Sequence, residues 1–144
     1  MGKVGIFKLG DFSLEILLKE VRNHPLKDQS GALVIFTGMV RGHSKAGKVK
    51  ELSYEVYREM VISVLDKIRR DVISKYNITD LWIYHAEGRA SVGAETFYVV
   101  AISRHRYEAF KAAKEAVDRV KREAPIWKKE ILEDGREYWV KEQP

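Results

Sequence analysis

The segment Val120-Lys-Arg-Glu-Ala-Pro-Ile-Trp-Lys-Lys-Glu130 places one lysine, Lys121, ahead of Pro125 and two adjacent lysines, Lys128 and Lys129, behind it, with the carboxylate of Glu130 next in line. Lysines held beside a reacting group can move a proton or stabilise a developing oxyanion. Each also has a plainer explanation. Lys121 falls in the last turn of a predicted helix, where a cation gains about 0.3–1 kcal/mol from the helix dipole. Lys128 and Lys129 follow Trp127 on a predicted strand, where successive side chains point to opposite faces, so at most one of them shares a face with Ile126. Ser103-Arg-His-Arg106 lies where a strand gives way to a helix, and there backbone N–H groups and cationic side chains could face one anion. An exposed basic turn, with His105 as a structural histidine, accounts for the same residues. Arg41 sits where an apolar strand runs out.

Gly42-His-Ser-Lys-Ala-Gly-Lys48 approximates a nucleotide P-loop. That motif requires Ser or Thr after the lysine and a helix whose N-terminus faces the phosphates. Here Val49 follows and the next residues alternate as a strand, so the stretch reads as a mobile basic hairpin loop. The chain has no cysteine, which excludes disulfides, thiolate nucleophiles and Cys-based zinc sites. Any sulfur chemistry would need sulfur from another source. His24, His43, His85 and His105 show no close metal-ligand spacing, and neither paired carboxylates nor a Ser-His-Asp arrangement stands out.

At 144 residues and 45% hydrophobic composition, one globular domain over 1–144 is expected. No apolar run approaches the ~18 residues needed to span a bilayer. The N-terminal Met-Gly-Lys-Val-Gly-Ile lacks the features of a signal peptide, which makes a cytoplasmic protein the expectation. The formal charge of +5 is a small excess of 26 basic over 21 acidic residues that are mostly interspersed. It suggests an anionic partner without specifying nucleic acid.

The candidate residues must be positioned by the elements around them. Lys3 to Leu9 reads as a strand, and Ser13 can cap a helix whose Leu14, Leu17, Leu18 and Val21 share a face before Pro25. Gly31 to Val40 is near-continuously apolar, as a strand covered on both faces would be. Val49 to Tyr57 alternates, with Leu52, Tyr54 and Val56 on one face. Met60, Val61, Val64, Leu65, Ile68 and Val72 recur at helical spacing to about Lys75. Ile78 to His85 and Glu95 to Ser103 read as strands joined by a turn containing Gly88 and Gly93, and a third helix runs from about Tyr107 to Arg122, stopped by Pro125. Two aromatic-rich strands flank the hairpin signal Asp134-Gly135, with Trp127, Tyr138 and Trp139 as core or sheet-face aromatics. The sum is an α+β domain with a mixed, largely antiparallel sheet and about three helices.

Three segments in order, Gly31-Ala-Leu-Val-Ile-Phe-Thr-Gly-Met-Val-Arg41, Ser103-Arg-His-Arg106 and Val120-Lys-Arg-Glu-Ala-Pro-Ile-Trp-Lys-Lys-Glu130, resemble the large, catalytic subunit of molybdopterin synthase. The resemblance implies a hammerhead-type α+β fold and conversion of cyclic pyranopterin monophosphate into molybdopterin. It implies that two dithiolene sulfurs arrive as a thiocarboxylate on the C-terminal glycine of a small ubiquitin-like sulfur-carrier subunit. It also implies a homodimer within a heterotetramer, and no cofactor or metal.

By matching position, the resemblance assigns substrate contacts to Met39, Val40, Arg41, His105, Arg106, Lys121, Lys128, Lys129 and Glu130. Some relatives carry a basic residue where this chain has Met39. Arg41, His105 and Arg106 then suit the substrate phosphate and the carrier's anionic tail, because a guanidinium binds such oxygens in a bidentate way. Lys121 and Lys128 become the catalytic pair. A free lysine titrates near 10.4, so a neutral base at about pH 7.5 requires roughly 4 kcal/mol against the charged form. One lysine is therefore expected to act as a charged electrostatic group and the other, Lys121, as the acid–base residue. Of the adjacent pair, Lys128 is expected to face substrate. A small basic nucleic-acid-binding domain would instead need basic and exposed aromatic residues on one continuous face, and an inactive carrier-binding scaffold would not need all three lysines.

Overall fold

A computed structural model describes residues 1–140; the last four residues of the expected domain, 141–144, lie outside the described residues. Strand β1 (Val4–Lys8) leads into helix α1 (Leu14–Arg22), then a 3-10 turn at Lys27–Gln29, β2 (Ala32–Met39), β3 (His43–Ser44) and β4 (Gly47–Val56). Helix α2 (Arg58–Tyr76), β5 (Asp80–Ser91), β6 (Glu95–Ser103), helix α3 (Arg106–Glu123), β7 (Ile126–Leu132) and β8 (Glu137–Val140) follow. The strands run in the order β2-β6-β5-β4-β7-β8, with β3 paired to β4 and β1 lying parallel to β5. The expected α+β class, with three helices and a mixed, largely antiparallel sheet, is what the chain adopts. No helix among the described residues is long and apolar enough to cross a membrane.

Local sequence explains the helices. The Ser13 hydroxyl accepts the Ile16 N–H at 3.3 Å and caps α1, an arrangement worth about 1 kcal/mol. Val61, Leu65, Ile68 and Val72 on α2 recur every three or four residues and are fully buried against the sheet. Each contributes about 1.5–3 kcal/mol by leaving water. The buried face of α3 is Ala109, Ala112, Ala113, Ala116, Val117 and Val120, small side chains that let the helix approach the sheet closely. Together α2 and α3 cover Leu81, Ile83, Phe97, Val99 and Ala101 on one side, while α1 covers Trp82, Tyr98, Val100 and Ile102 on the other.

Two expectations need correction. Gly31 to Val40 was expected to be covered on both faces, but β2 is the last strand in the order and its burial alternates, with Leu33, Ile35 and Met39 exposed. The short α1 lies over β1, β5 and β6, and the α1 face of β2 stays open. The β5–β6 turn also falls at Val92–Ala94 rather than at Gly88. Strand β5 continues through Gly88, whose φ of 84° few other residues accept. Beyond it, Arg89, Ala90 and Ser91 pair with Ser53, Leu52 and Glu51 of β4.

A buried polar cluster ties the ends of these elements together. Asp80, 3% exposed, accepts from the Gly2 N–H at 2.5 Å, the Leu81 N–H at 2.8 Å, Arg69 at 2.5 Å and the Nε2–H of His24 at 2.7 Å. His24 Nδ1 accepts the Leu26 N–H, which fixes the tautomer. Burial pushes the Asp80 pKa up, but the N–H groups of Leu81 and Gly2, with Arg69 and His24, outweigh it and hold the carboxyl below its ordinary 3.8. A depressed folded-state pKa stabilises the fold above the unfolded value, and that contribution is lost as pH falls through the folded one. Urea titrations should therefore show stability falling below about pH 4. Asp80→Ala should cost roughly 3–5 kcal/mol at neutral pH and flatten that acid dependence; an unaltered acid slope would count against the assignment.

Candidate active site

Helix α3 ends at Ala124 because Pro125 cannot continue it, and this end, together with the neighbouring strand ends, borders a cavity of about 190 Å³. The last turn contributes Lys121, beside the buried Val120. Strand β7 starts immediately after the proline, and its alternation sends Ile126, Lys128 and Glu130 to the cavity while Trp127 and Lys129 face away. Lys128 lies opposite Tyr54 and Glu130 opposite Leu52 across the β4 pairing, and both β4 residues line the same cavity.

Arg41 enters from the end of β2. A register shift between Gly38 and Met39 bends that edge, a device common beside functional sites. The Val40 N–H donates to the Ala94 carbonyl at 3.0 Å, and the Val40 carbonyl accepts from Gly93 at 2.9 Å. The Gly42 carbonyl accepts from Val49, so Arg41 sits between anchored neighbours. Met39 lines the cavity too, 60% exposed at its mouth, whereas the Val40 side chain is buried in a core cluster with Leu52 and Tyr54.

The deepest part of the cavity, its floor, carries the apolar side chains. Phe36, Phe97, Leu52 and Ile126 supply most of it, and His85 lies among them, 7% exposed. Its Nδ1–H donates to the Ala86 carbonyl at 2.7 Å, so in the neutral ring Nε2 is the acceptor. Its ring stands edge-on to Tyr54, with centroids 4.9 Å apart, and is tilted against Phe97. Tyr54 and Thr96 hydroxyls bond each other at 3.2 Å. Around this floor, among the described residues, stand Arg41, Lys121 and Lys128 against one carboxylate, Glu130, whose Oε1 accepts from Ser44 and from Tyr138. Such a site suits a ligand whose ring packs on the apolar floor, whose edges meet polar side chains and whose end is anionic. No group of three or more His, Asp or Glu among the described residues is placed to hold a metal ion.

The structure thus brings Met39, Arg41, Lys121, Lys128 and Glu130 together and leaves Lys129, His105 and Arg106 elsewhere. Lys129 pairs with Glu137 at 3.2 Å and lies over the Trp139 ring. His105 and Arg106 begin α3, in an exposed crevice with Tyr107, Phe110, Lys111 and Lys114. Arg106 and Lys121 are separated by about 22 Å along the helix, so one copy cannot apply both to one small ligand. Of the two places expected for Trp127 and Trp139, core or sheet face, the structure gives the second: they are 54% and 52% exposed on the face that carries Lys129. The stretch 42–48 forms the hairpin expected of it, β3 turning back into β4, and its Lys48 carbonyl accepts from Glu133. Sequence reasoning did not select His43, Ser44, Tyr54, His85 or Thr96. The inward direction of Tyr54 was legible from alternation, but nothing in the spacing of the others marked them.

A family model described as MoaE protein matches residues 10–123. The chain is 38% identical over 130 residues, 90% of its own length and 84% of the relative's, to a molybdopterin synthase catalytic subunit of Pyrococcus abyssi. It superposes at a TM-score of 0.83 and 32% identity on the crystal structure of molybdopterin synthase from Staphylococcus aureus, covering 94% of each chain. A chain from the complex of subunits 1 and 2 of molybdopterin-converting factor from Helicobacter pylori shares the fold at a TM-score of 0.77, with 23% identity over 97% of this chain and 91% of that one.

If the cavity is the anion site, calorimetric titration with inorganic phosphate should separate the adjacent lysines. Lys128→Ala is expected to weaken binding by about tenfold and Lys129→Ala by less than about twofold. Equal losses would contradict the assignment of faces.

Proposed function

The chain belongs to the MoaE protein family, and from that premise we propose that it is a cytoplasmic catalytic subunit of molybdopterin synthase. It converts cyclic pyranopterin monophosphate to molybdopterin, with two sulfurs delivered by the C-terminal thiocarboxylate of a small carrier subunit. The observation that carries this proposal is the convergence of Arg41, Lys121 and Lys128 on one cavity with an apolar floor. A pterin ring needs such a floor, and a phosphate meeting a thiocarboxylate needs cations. The relatives' description as a catalytic subunit supports a partner subunit here.

Each residue has a physical task. Arg41 holds the phosphate with two N–H donors in a fixed fork. The carrier's thiocarboxylate sulfur attacks a precursor carbon and displaces the oxygen that carbon held, which leaves on the phosphate or as water. Water then adds to the carrier's terminal carbonyl in the resulting thioester and the acyl carbon–sulfur bond breaks. The carrier leaves as a carboxylate and the sulfur stays on the pterin. Lys128 stabilises the tetrahedral oxyanion of that step, and Lys121 handles the proton that water gives up.

His105 and Arg106 join the site from a second copy. The length of α3 keeps them from the cavity of their own chain, while a two-fold dimer can bring the helix start of one copy to the cavity of the other.

Purified chain, thiocarboxylated carrier and precursor should together yield molybdopterin. Lys121→Ala and Lys128→Ala should each lower its formation by about 100-fold or more, and near-wild-type yields from both would sink the proposal. Co-expression of Arg106→Ala with Lys128→Ala tests the shared site. Random pairing leaves one intact composite site in each mixed dimer, so about a quarter of the wild-type activity should return. No recovery above the single variants would show that each copy works alone.

A further inference from the structure

Glu130 is a buried acidic side chain in the cavity wall, 7% exposed, and one of its oxygens takes two donors. Oε1 accepts from the Ser44 hydroxyl and, at 2.7 Å, from the Tyr138 hydroxyl. The donors approach from different elements. Tyr138 lies directly opposite Glu130 in the β7–β8 pairing, and Ser44 belongs to the hairpin that β3 makes with β4. Ser44 Oγ also accepts the Ala46 N–H at 3.2 Å, so one hydroxyl both closes the hairpin turn and fastens it to β7. The far end of the hairpin is held by the Glu133 N–H on the Lys48 carbonyl and by Arg136 on the Ala46 carbonyl.

Two clamps therefore bracket one wall of the cavity. Val40 is fixed on Gly93 and Ala94, and Ser44 is fixed on Glu130. Between them lie Arg41 and His43, both lining the cavity. Tyr138 keeps Glu130 in place: the bond to the carboxylate, ahead of other causes, raises the tyrosine pKa above its ordinary 10.0, so the hydroxyl remains a donor. Losing either donor would leave a buried carboxylate oxygen short of a partner, which costs more than an exposed hydrogen bond would.

We propose that Ser44 and Tyr138 are positioning residues that act through Glu130, fixing the hairpin wall so that Arg41 and His43 stand at the spacing from Lys121 and Lys128 that the anionic substrate requires. Glu130 then serves as the internal anchor of that wall, and its Oε1 is not a substrate contact. The proposal rests on the cavity being the synthase active site, and its test has one arm that does not depend on that.

The full chain is compared as wild type, Ser44→Ala, Ser44→Thr and Tyr138→Phe. Hydrogen exchange of residues 42–48 is measured without ligand, and steady-state kinetics with thiocarboxylated carrier and precursor. Ser44→Ala should speed exchange in the hairpin by about tenfold, the scale of a hydrogen bond to a charged acceptor, and raise the KM for precursor by a similar factor with kcat within about twofold. Tyr138→Phe should move both in the same direction, and Ser44→Thr, which keeps the hydroxyl, should return both toward wild type. Unchanged exchange in Ser44→Ala overturns the proposal, and so does faster exchange with an unchanged KM. If wild-type chain makes no molybdopterin, the synthase assignment fails by itself, and the exchange result alone still decides whether Ser44 holds the hairpin.

Discussion

The pairing register between β7 and β4 is the constraint on which the site depends. Ile126 lies opposite Val56, Lys128 opposite Tyr54 and Glu130 opposite Leu52. Three β7 side chains thereby join the face where β4 buries its own. Because strand side chains repeat every two residues, a slip by one would turn Trp127 and Lys129 into the cavity and Lys128 out of it. Two features set the register. Pro125 ends α3 and its carbonyl accepts the Tyr57 N–H at 3.1 Å, which fixes where β7 begins relative to β4. At the other end Leu132 is buried against Val40, Val49 and Leu52, packing that a slip would break.

Gathering Arg41, Lys121 and Lys128 around an apolar floor has an electrostatic consequence. Like charges beside low-dielectric surroundings repel more strongly than in water, and an anion entering between them relieves that repulsion. Among the described residues a single acidic side chain, Glu130, lines the cavity wall, on the same face of β7 as Lys128. It lessens the repulsion, and its Oε1 is already occupied by Ser44 and Tyr138. The cationic character needed by an anionic substrate is thus kept while the empty site remains foldable.

The general architecture was legible in the sequence because it rests on local patterns. Ser13 capping, the three-to-four spacing of Val61 to Val72, and Pro125 after the last turn of α3 each act over a few residues. So does the alternation that separates Lys128 from Lys129. What was not legible depends on contacts far apart in the chain. The open face of β2 follows from how far α1 reaches across the sheet, which no property of Gly31 to Val40 encodes. The continuation of β5 past Gly88 depends on β4 being there to pair with it. His85 and Ser44 join the site through partners on other elements: the Phe97 and Tyr54 rings, 12 and 31 positions from His85, and Glu130, 86 positions from Ser44. The sequence left Trp127 and Trp139 open between core and sheet face, and the register that aims Lys128 inward turns them outward.

A crystal structure of the chain with cyclic pyranopterin monophosphate bound tests the central claim most directly. The account places the phosphate within hydrogen-bond distance of Arg41 and Lys128, with the ring over Phe36 and Phe97 and with Lys129 still on the outer face. Substrate bound on the Trp127–Lys129–Trp139 face, or held by His105 and Arg106 of one copy away from any cavity lysine, would contradict it.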